Sequence, residues 1–326
     1  PDGAGYRLNT RFARFINVPE LMQMFRQSAD VQTAAMLNLP RPLLEGEKPA
    51  IRNAPATPEL KAFVQELAAR ADRLKTGRVD PSEDNMLKIT SEGRMAALDL
   101  RLMKPATPDE PQGKVNLAVE NIHRIWQATA AERCAQLVFC DLSTPKDKGF
   151  SVYRDMAEKL QNLDVPEQEI AFIQDCDSDA SKLALFRDVR AGKVRVLFGS
   201  TQKMGSGTNV QERLIALHHL DAPWRPADVE QREGRILRQG NKNAVVSVFR
   251  YVTEGSFDAY MWQALETKAR FISQVITGDN ASRRADDIGG QELSFAEVKA
   301  IASGNPAVSS AKKPAVAKKI GSRLRV

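Results

Sequence analysis

Hydrophobic positions follow two different patterns along the chain, and the change falls near residue 132. Up to that point, apolar residues recur at helical spacing in pieces that proline-rich turns separate. The pattern predicts a helix with Pro19 in its first turn and a second helix that Thr57 caps and that ends at Gly77. Two further helices are predicted over residues 92–102 and 115–131.

Prolines are concentrated between the first two predicted helices. Residues 38–58 read NLPRPLLEGEKPAIRNAPATP. Because proline has no backbone N–H and fixes its own backbone angle, such a density of prolines disfavours both helix and sheet. We therefore predict an irregular loop over this segment.

From residue 135 onward, short apolar runs alternate with helical patterns. The runs are typical of buried strands and read QLVFCD, EIAFIQD, KVRVLFGS, RLIALHHLD and VVSVFRYV. Helices are predicted over residues 150–163 and 179–191, and an arginine-bearing helix precedes the last run. Four side chains of the 179–191 helix are expected to face the core: Leu183, Leu185, Phe186 and Val189. The alternation predicts an α/β fold in which helices cover both faces of a mostly parallel sheet, preceded by a mainly helical segment.

The net charge of +6 belongs to the end of the chain rather than to its body. Residues 303–326 contain six Lys or Arg and no acid, which leaves 41 basic against 41 acidic side chains elsewhere. This segment is poor in large apolar residues, so we expect it to be disordered. It would bind phosphates non-specifically or serve only for solubility.

Cysteines and histidines do not form a metal-binding pattern. Cys134, Cys140 and Cys176 lack metal-ligand spacing, which favours reduced thiols. His123 and the pair His218–His219 have no accompanying cysteine or carboxylate pattern, so structural roles are expected, with one member of the pair on each face of the sheet. The chain has no apolar stretch of membrane-spanning length, and we expect a cytoplasmic protein without metal or membrane.

Two polar segments follow strands, where ligands of parallel sheets gather. The loop GSTQKMGSGTNVQ offers the hydroxyls of Ser200 and Thr201 and glycine-rich backbone that can turn N–H groups toward an anion. The later stretch DVEQREGRILRQGN places Arg232, Arg235 and Arg238 three apart. On one helix these guanidiniums would share a face, which favours a phosphate among them.

Gly234 lies inside this arginine run, and its cost within a helix suggests a close approach of backbone or ligand. The alternative is an exposed basic helix whose arginines form salt bridges with Asp228, Glu230 and Glu233. The residues alone leave both interpretations open.

Both segments, in this order, resemble motifs V and VI of the Swi/Snf-type translocases of helicase superfamily 2. The residues that match the two signatures are Thr201, Gly205, Gly207 and Asn209, then Gln231, Arg235, Arg238 and Gly240. QLVFCD lies where motif IV is expected, and HLDAPWRPADVEQ is similar to the segment between V and VI. The resemblance covers about residues 113 to 277, and a weaker likeness extends to the large helicase and DNA-methylase polypeptides of bacterial phages and conjugative plasmids.

The resemblance implies a RecA-like lobe with a nucleotide side and a DNA side. Arg235 and Arg238 would be arginine fingers, and Gln231 would help position the ATP site. Ser200, Thr201 and the backbone from Gly205 through Gly207 to Asn209 would contact the DNA strand and couple it to the bound nucleotide. Trp224 would contact DNA or only pack. Arg232 is expected to be solvated or salt-bridged.

The sequence lacks the motifs with which the first lobe of this family holds ATP and magnesium. No GxxxxGK[ST] pattern is present, and the only Asp-Glu dipeptide, Asp109–Glu110, lies in a proline loop. We therefore expect the carboxyl-terminal half of a two-lobed motor that does not hydrolyse ATP alone, with ATP and Mg bound mainly by an upstream first lobe in the same polypeptide or on a partner chain. The predicted divisions are a first-lobe remnant and connector, the lobe, a helical extension and the basic tail: 1–112, 113–280, 281–302 and 303–326.

Two function classes remain at this stage. The first is half of an ATP-driven DNA helicase or translocase, favoured by the pair of arginines at finger spacing. The second is a non-catalytic module, derived from such a lobe, that binds nucleic acid or protein; the missing first-lobe motifs favour it.

Overall fold

The computed structural model describes most of the chain between residues 14 and 303. The described residues are 14–29, 39–76, 80, 82–145, 149–204, 207, 209–277, 284–286, 293 and 295–303. Gly205 and the predicted basic tail beyond Ser303 lie outside them.

Strands and helices alternate through the second part of the chain as predicted. The strands are β1 (Arg14–Ile16), β2 (Leu43–Leu44), β3 (Ala50–Ala54), β4 (Ala135–Phe139), β5 (Ile170–Phe172), β6 (Val196–Gly199), β7 (Leu214–His219), β8 (Val245–Thr253) and β9 (Arg284–Asp286). The helices are α1 (Val18–Ser28), α2 (Pro58–Lys75), α3 (Met86–Leu98), α4 (Lys114–Ala128), α5 (Val152–Asn162), α6 (Asp179–Arg190), α7 (Thr201–Met204), α8 (Pro226–Glu233), α9 (Phe257–Thr277) and α10 (Phe295–Ala302).

The main sheet has seven strands and is parallel throughout. Its order is β2-β8-β7-β4-β6-β5, and β3 pairs with β8 beside β2. The carboxyl ends of β4, β6 and β7 lie next to one another because these strands are neighbours of one direction. The predicted α/β class with a parallel sheet is confirmed, and β1 and β9 form a separate antiparallel pair.

The prediction of an irregular loop over residues 38–58 is wrong. The segment contains β2 and β3, and β3 pairs with β8 over its whole length, from Ala50 opposite Phe249 to Ala54 opposite Thr253. The prolines flank these strands rather than lying inside them, since Pro49 precedes β3 and Pro55 follows it. At the edge of a sheet a strand can be bounded by prolines without losing its ladder.

The predicted helices are present, with shifted ends. Thr57 caps α2, its hydroxyl accepting a hydrogen bond from the backbone N–H of Leu60 at 3.1 Å. The helix predicted from residue 92 starts six residues earlier, at Met86, because Asn85 caps it by accepting from the N–H of Lys88 at 2.9 Å. Local capping chemistry therefore decided where each helix begins.

One predicted core residue of α6 is exposed. Phe186 and Val189 are buried and Leu185 is partly buried against them, but 64% of Leu183 is exposed. Leu183 lies near the start of α6, where it lines an open cavity with Gln202 and Lys203 instead of the sheet. The prediction for Leu183 was wrong because, at about 100° per residue, this side chain stands about 120° around the helix from Val189 and about 160° from Leu185, outside the buried face.

Helices cover both faces of the sheet. Alternate residues of β4 enter different clusters: Val138 packs with α4 and α5, whereas Leu137 and Phe139 pack with α6. A third cluster joins α2 and α3 to α9, with Leu67 of α2 and Phe257 of α9 among its members. The helices that precede residue 113 are thus packed onto the last long helix of the chain.

Candidate functional site

The carboxyl ends of three neighbouring strands carry polar residues. Asp141 follows β4, Ser200 and Thr201 follow β6, and Asp221 follows β7. Pro226 begins α8, which supplies Arg232 to the same edge. Parallel strands bring these residues together although the chain separates them widely.

Arg232 is fully buried at the centre of this edge. Its Nη2 donates to Asp141 Oδ2 at 2.7 Å and to Asp221 Oδ1 at 3.1 Å, and its Nη1 donates to the backbone oxygen of Asp221 at 2.9 Å. Its Nε donates to Thr201 Oγ1 at 2.7 Å. Arg232 is salt-bridged, as one of the two expectations had it, and not solvated.

The carboxylates around Arg232 also bind backbone. Asp141 Oδ1 accepts from the N–H of Thr201 at 2.6 Å, and Asp141 Oδ2 accepts from the Thr201 hydroxyl at 2.8 Å. Asp221 Oδ2 accepts from the N–H groups of Asp141 at 2.5 Å and of Leu142 at 2.9 Å. Burial alone would lower the pKa of Arg232, but the charges of Asp221 and Asp141 outweigh it and raise that pKa. The cluster therefore keeps its ion pairs.

The three arginines do not share one helix, contrary to the expectation. Helix α8 ends at Glu233, and Gly234 is its C-cap. The chain then turns, with the N–H of Arg235 bonded to the oxygen of Arg232 at 3.1 Å, and Ile236 enters the core. The N–H groups of Ile236 and Leu237 both bond the oxygen of Glu233, at 3.1 and 3.0 Å, so Arg235 and Arg238 lie on a turn rather than on α8.

The expected approach of foreign backbone to Gly234 is not present among the described residues. The atom nearest to a Cβ placed there is the oxygen of Glu230, one turn earlier, at 2.9 Å. Two of the three acidic residues of the alternative interpretation bind arginines outside the run, since Asp228 binds Arg225 at 2.7 Å and Glu233 binds Arg250 at 3.1 Å. The exposed basic helix of that interpretation is therefore wrong.

Arg235 and Arg238 lie on the turn after α8. Arg235 is partly buried and Arg238 is exposed. Burial is the main cause that lowers the pKa of Arg235, and the positive charge of Arg238 lowers it further. Two guanidiniums that oppose each other's charge are stabilised by an anion placed between them.

A cavity of about 510 Å³ opens beside the buried cluster. It is lined by Asp141, Thr144, Ser200, Thr201, Gln202, Arg225, Asp228 and Gln231. The structure thus brings together three of the predicted site residues: Ser200, Thr201 and Gln231. The lining is mostly hydroxyl, amide and charged groups, which suit a polar guest.

The remaining predicted residues lie elsewhere. Gly207, at φ 69°, lines a second cavity with Lys182 and Lys203, and the backbone oxygen of Asn209 accepts from Arg190 at 2.5 Å. Trp224 is partly buried, and the guanidinium of Arg94 lies 4.3 Å from the centre of its ring. These residues do not line the cavity that holds Gln231.

Asp141 and Asp221 were missed as site residues by sequence reasoning. Each is the last residue of a predicted strand segment, Asp141 in QLVFCD and Asp221 in RLIALHHLD. An acid directly after a buried parallel strand is a signal that could have found them, since that position faces the ligand edge.

The adjacent histidines face opposite sides of the sheet, as expected. His218 Nδ1 lies 2.9 Å from Tyr251 Oη, whereas His219 Nε2 lies 3.3 Å from Glu233 Oε1. Burial lowers the pKa of His218 to about 3 and that of His219 to about 4. Both are neutral members of the core near pH 7.

The donor groups fit a nucleotide phosphate better than its metal ion. Arg235 and Arg238 offer planar cationic forks, whereas Asp141 and Asp221 are already ion-paired with Arg232. Within the described ranges, no three His, Cys, Asp or Glu side chains converge as metal ligands would. The residues present therefore fit the phosphate end of ATP from one side.

Comparison with known proteins agrees with the fold and the motifs. Residues 129–240 match the family described as helicase conserved C-terminal domain. Among curated proteins, defense against restriction protein B of Escherichia phage P1 is 34% identical over 100 residues, which are 31% of this chain and 4% of the phage protein. The chain thus spans a small fraction of that relative.

Solved structures with a similar fold include two ATPases. The C-terminal part of the Fun30 ATPase domain matches with a TM-score of 0.47 and 15% identity, over 70% of this chain and 90% of that one. The Sulfolobus solfataricus SWI2/SNF2 ATPase core in complex with dsDNA matches with a TM-score of 0.47 and 15% identity, over 80% of this chain and 52% of that one.

Residues 129–240 are thus similar to a helicase C-terminal domain. The family match over residues 129–240 confirms the resemblance that motifs V and VI indicated. Among the helices that the structure describes, none combines the length and apolarity needed to cross a membrane.

Proposed function

We propose that this chain is the C-terminal lobe of an ATP-dependent DNA helicase or translocase, in which Arg235 and Arg238 serve as arginine fingers. The observation that carries the proposal is the turn after α8. It carries Arg235, which is partly buried, and Arg238, which is exposed, whereas Arg232 on the helix itself is buried and bonded to Asp141 and Asp221.

Arg235 and Arg238 would act on ATP held mainly by the first lobe. A guanidinium stays charged at all physiological pH values and presents parallel N–H donors that match phosphate oxygens. Placed at the γ-phosphate, such donors stabilise the charge that spreads over its oxygens during transfer. Gln231, three residues before the C-cap Gly234 at the end of α8, would help position the same site.

The first lobe would come from an upstream segment of the same polypeptide or from a partner chain. This sequence contains no GxxxxGK[ST] pattern that would cradle the β- and γ-phosphates. When bound, ATP with its magnesium ion supplies the phosphoryl group that is transferred to water. The chain's own part in this proposal is to close the site with cationic donors.

DNA would lie along the cavity beside β4 and β6. The hydroxyls of Ser200 and Thr201 can donate to phosphodiester oxygens, which is the commonest kind of protein–DNA contact. The backbone at Gly207 and Asn209, with Gly205, would connect this contact to the nucleotide side. Trp224 stays a candidate DNA contact, although Arg94 already stacks on its ring.

We propose the same divisions of the chain that the sequence predicts. Residues 113–280 would be the lobe, and residues 281–302 and 303–326 its extension and basic tail. Residues 1–112 would be the first-lobe remnant and connector, and β2 and β3 join the sheet of the lobe from that segment.

The test is DNA-stimulated ATP hydrolysis by an assembly of this chain with the first lobe. We expect Arg235→Ala and Arg238→Ala each to lower kcat about 10³-fold, the effect typical of a lost arginine finger. The KM for ATP should change little, because uniform binding of the nucleotide rests on the first lobe. Steady-state kinetics at saturating DNA measure both values.

The matched control is Arg154→Ala, which removes an exposed arginine from α5. It should leave kcat unchanged. Unchanged kcat in both finger variants, or equal losses in the control, would exclude the finger role. An inactive wild-type assembly that still binds DNA would favour the alternative function, a non-catalytic binding module.

A further inference from the structure

One side chain joins the proposed DNA side of the lobe to its proposed nucleotide side. Arg232 donates through Nε to the hydroxyl of Thr201, which lines the 510 Å³ cavity. Its backbone oxygen accepts from the N–H of Arg235 at 3.1 Å, which starts the turn that carries both proposed fingers. Arg232 is therefore bonded both to Thr201 and to Arg235, so a displacement of Thr201 can be transmitted to Arg235 through Arg232 alone.

The Thr201 hydroxyl has one proton, and this structure shows where that proton is used. The hydroxyl donates to Asp141 Oδ2 at 2.8 Å and accepts from Arg232 Nε at 2.7 Å. A phosphate oxygen that takes a hydrogen bond from this hydroxyl must displace the bond to Asp141, because a hydroxyl donates only once.

Loss of the bond between the Thr201 hydroxyl and Asp141 would change the interaction between Asp141 and Arg232. Asp141 Oδ2 also accepts from Arg232 Nη2 at 2.7 Å, so the carboxylate would have one fewer donor and would bind the guanidinium more strongly. Arg232 is fully buried in a close-packed interior and belongs to the last turn of α8. A shift of its side chain would therefore displace the end of this helix.

We propose that Arg232 is a positioning residue that couples occupancy of the cavity beside Thr201 to the placement of Arg235 and Arg238. This inference rests on the proposed function and adds to it the means by which nucleic acid at one edge alters phosphoryl transfer at the other. Arg232 itself touches neither ligand.

The chain offers a matched buried arginine without this connection. Arg195 is 2% exposed and donates to the backbone oxygens of Cys134, Trp126 and Thr129, beside the start of β6 rather than at its carboxyl end. Replacing either arginine by lysine keeps a buried charge but removes the fork, so both changes should destabilise the fold. Only the change at position 232 should alter coupling.

The experiment compares Arg232→Lys with Arg195→Lys in the assembly of this chain with the first lobe. The readout is the DNA-stimulation factor, the ratio of kcat at saturating DNA to kcat without DNA. We expect Arg232→Lys to lower this factor about tenfold, a typical size for coupling between two sites. The KM for ATP should stay within about twofold of the wild-type value, because the first lobe binds the nucleotide.

Arg195→Lys should lower the melting temperature and leave the stimulation factor unchanged. Should Arg232→Lys fail to fold, Thr201→Val decides. Valine keeps the shape without the hydroxyl that accepts from Arg232 Nε and should lower the factor as Arg232→Lys would. Because the factor is measured at saturating DNA, a weaker DNA contact does not by itself lower it.

Two results would overturn the inference while leaving the proposed function intact. One is a wild-type stimulation factor in Arg232→Lys or Thr201→Val, and the other is an equal loss in Arg195→Lys. A wild-type assembly that shows no DNA-dependent ATP turnover overturns the proposed function, and the inference with it.

Discussion

At the scale of single residues, two adjacent histidines make this lobe sensitive to acid. His218 lies between Tyr251 and Gln136, with ring nitrogens 2.9 and 3.0 Å from their side-chain oxygens, and His219 is fully buried on the opposite face. Burial is the main cause of their low pKa values, about 3 and about 4. Unfolding removes both histidines from this buried environment, so the unfolded chain takes up protons at a higher pH than the folded one.

We predict that the free energy of unfolding decreases as the pH falls from about 6.5 toward 4. The unfolded histidines bind protons below about pH 6.5, whereas the folded ones do so only near the lower values, so acid favours the unfolded chain. Each histidine should cost about 2 kcal/mol at pH 5 relative to pH 7. Urea unfolding at a series of pH values measures the slope.

A His219→Gln variant is the control for this prediction. It should lose about half of the pH dependence between pH 7 and 5, since one of the two titrating groups is removed. A wild-type profile that is flat over this range would contradict the assignment of both histidines as neutral core residues.

At the scale of elements, one glycine decides how closely two helices approach. Gly93 lies inside α3 and faces Phe257, the first residue of α9. A Cβ at position 93 would lie 2.6 Å from the Phe257 ring, which is far inside van der Waals contact. The pair belongs to the contact by which the helices before residue 113 pack on α9.

Gly93→Ala should therefore destabilise the protein, although alanine favours a helix. The gain in helix propensity is about 1 kcal/mol, whereas overpacking of a full core costs about 1 to 3 kcal/mol. We expect a net loss of about 1 kcal/mol in chemical unfolding.

The double variant Gly93→Ala with Phe257→Leu tests the cause of that loss. The smaller side chain relieves the overlap, so Gly93→Ala should cost less in the presence of leucine than in the presence of Phe257. Equal costs in both backgrounds would mean that the ring does not set the helix spacing.

At the scale of the whole molecule, the segment before residue 113 shares the structure of the lobe. It supplies β2 and β3 at one edge of the sheet and packs α2 and α3 on α9. Leu67 of α2 and Leu137 of β4 are both fully buried, in different hydrophobic clusters. This arrangement predicts that the two regions unfold together.

We predict that the two regions unfold in one common transition. Leu67→Ala and Leu137→Ala should each lower the free energy of this unfolding by about 2 to 5 kcal/mol. Versions of the chain that keep only Trp126, in the cluster with α4, or only Trp262, in the cluster with α9, report the two regions separately by fluorescence. Both versions should show the same urea midpoint in each variant. Separate midpoints would indicate independent units.

Much of the fold could be predicted because its signals are local. Runs such as QLVFCD marked buried strands, and Thr57 marked the start of α2 through its own side chain. The strands β2 and β3 could not be predicted, because nothing within residues 38–58 indicates that β8 lies alongside. Pairing with a strand about two hundred residues away, as between Leu43 of β2 and Val245 of β8, is set by the tertiary structure.

The site divides in the same way. Local sequence singled out Ser200, Thr201, Gln231, Arg235 and Arg238, because hydroxyls, amides and arginines after parallel strands are chemistry that one can read residue by residue. Their grouping was predicted in part: Ser200, Thr201 and Gln231 line one cavity, and the roles of Arg235 and Arg238 stay predictions.

The sequence by itself determined the alternation of strands and helices from β4 to β8, the helicase motifs and the chemical types available at the edge of the sheet. Only the tertiary structure decided that Arg232 is buried while Arg238 is exposed, although both stand in the same arginine run. The physical reason is that a guanidinium is buried only where hydrogen-bond acceptors meet it, and for Arg232 these include the carboxylates of Asp141 and Asp221. For Arg232 one of those carboxylates belongs to Asp141, 91 residues earlier in the chain.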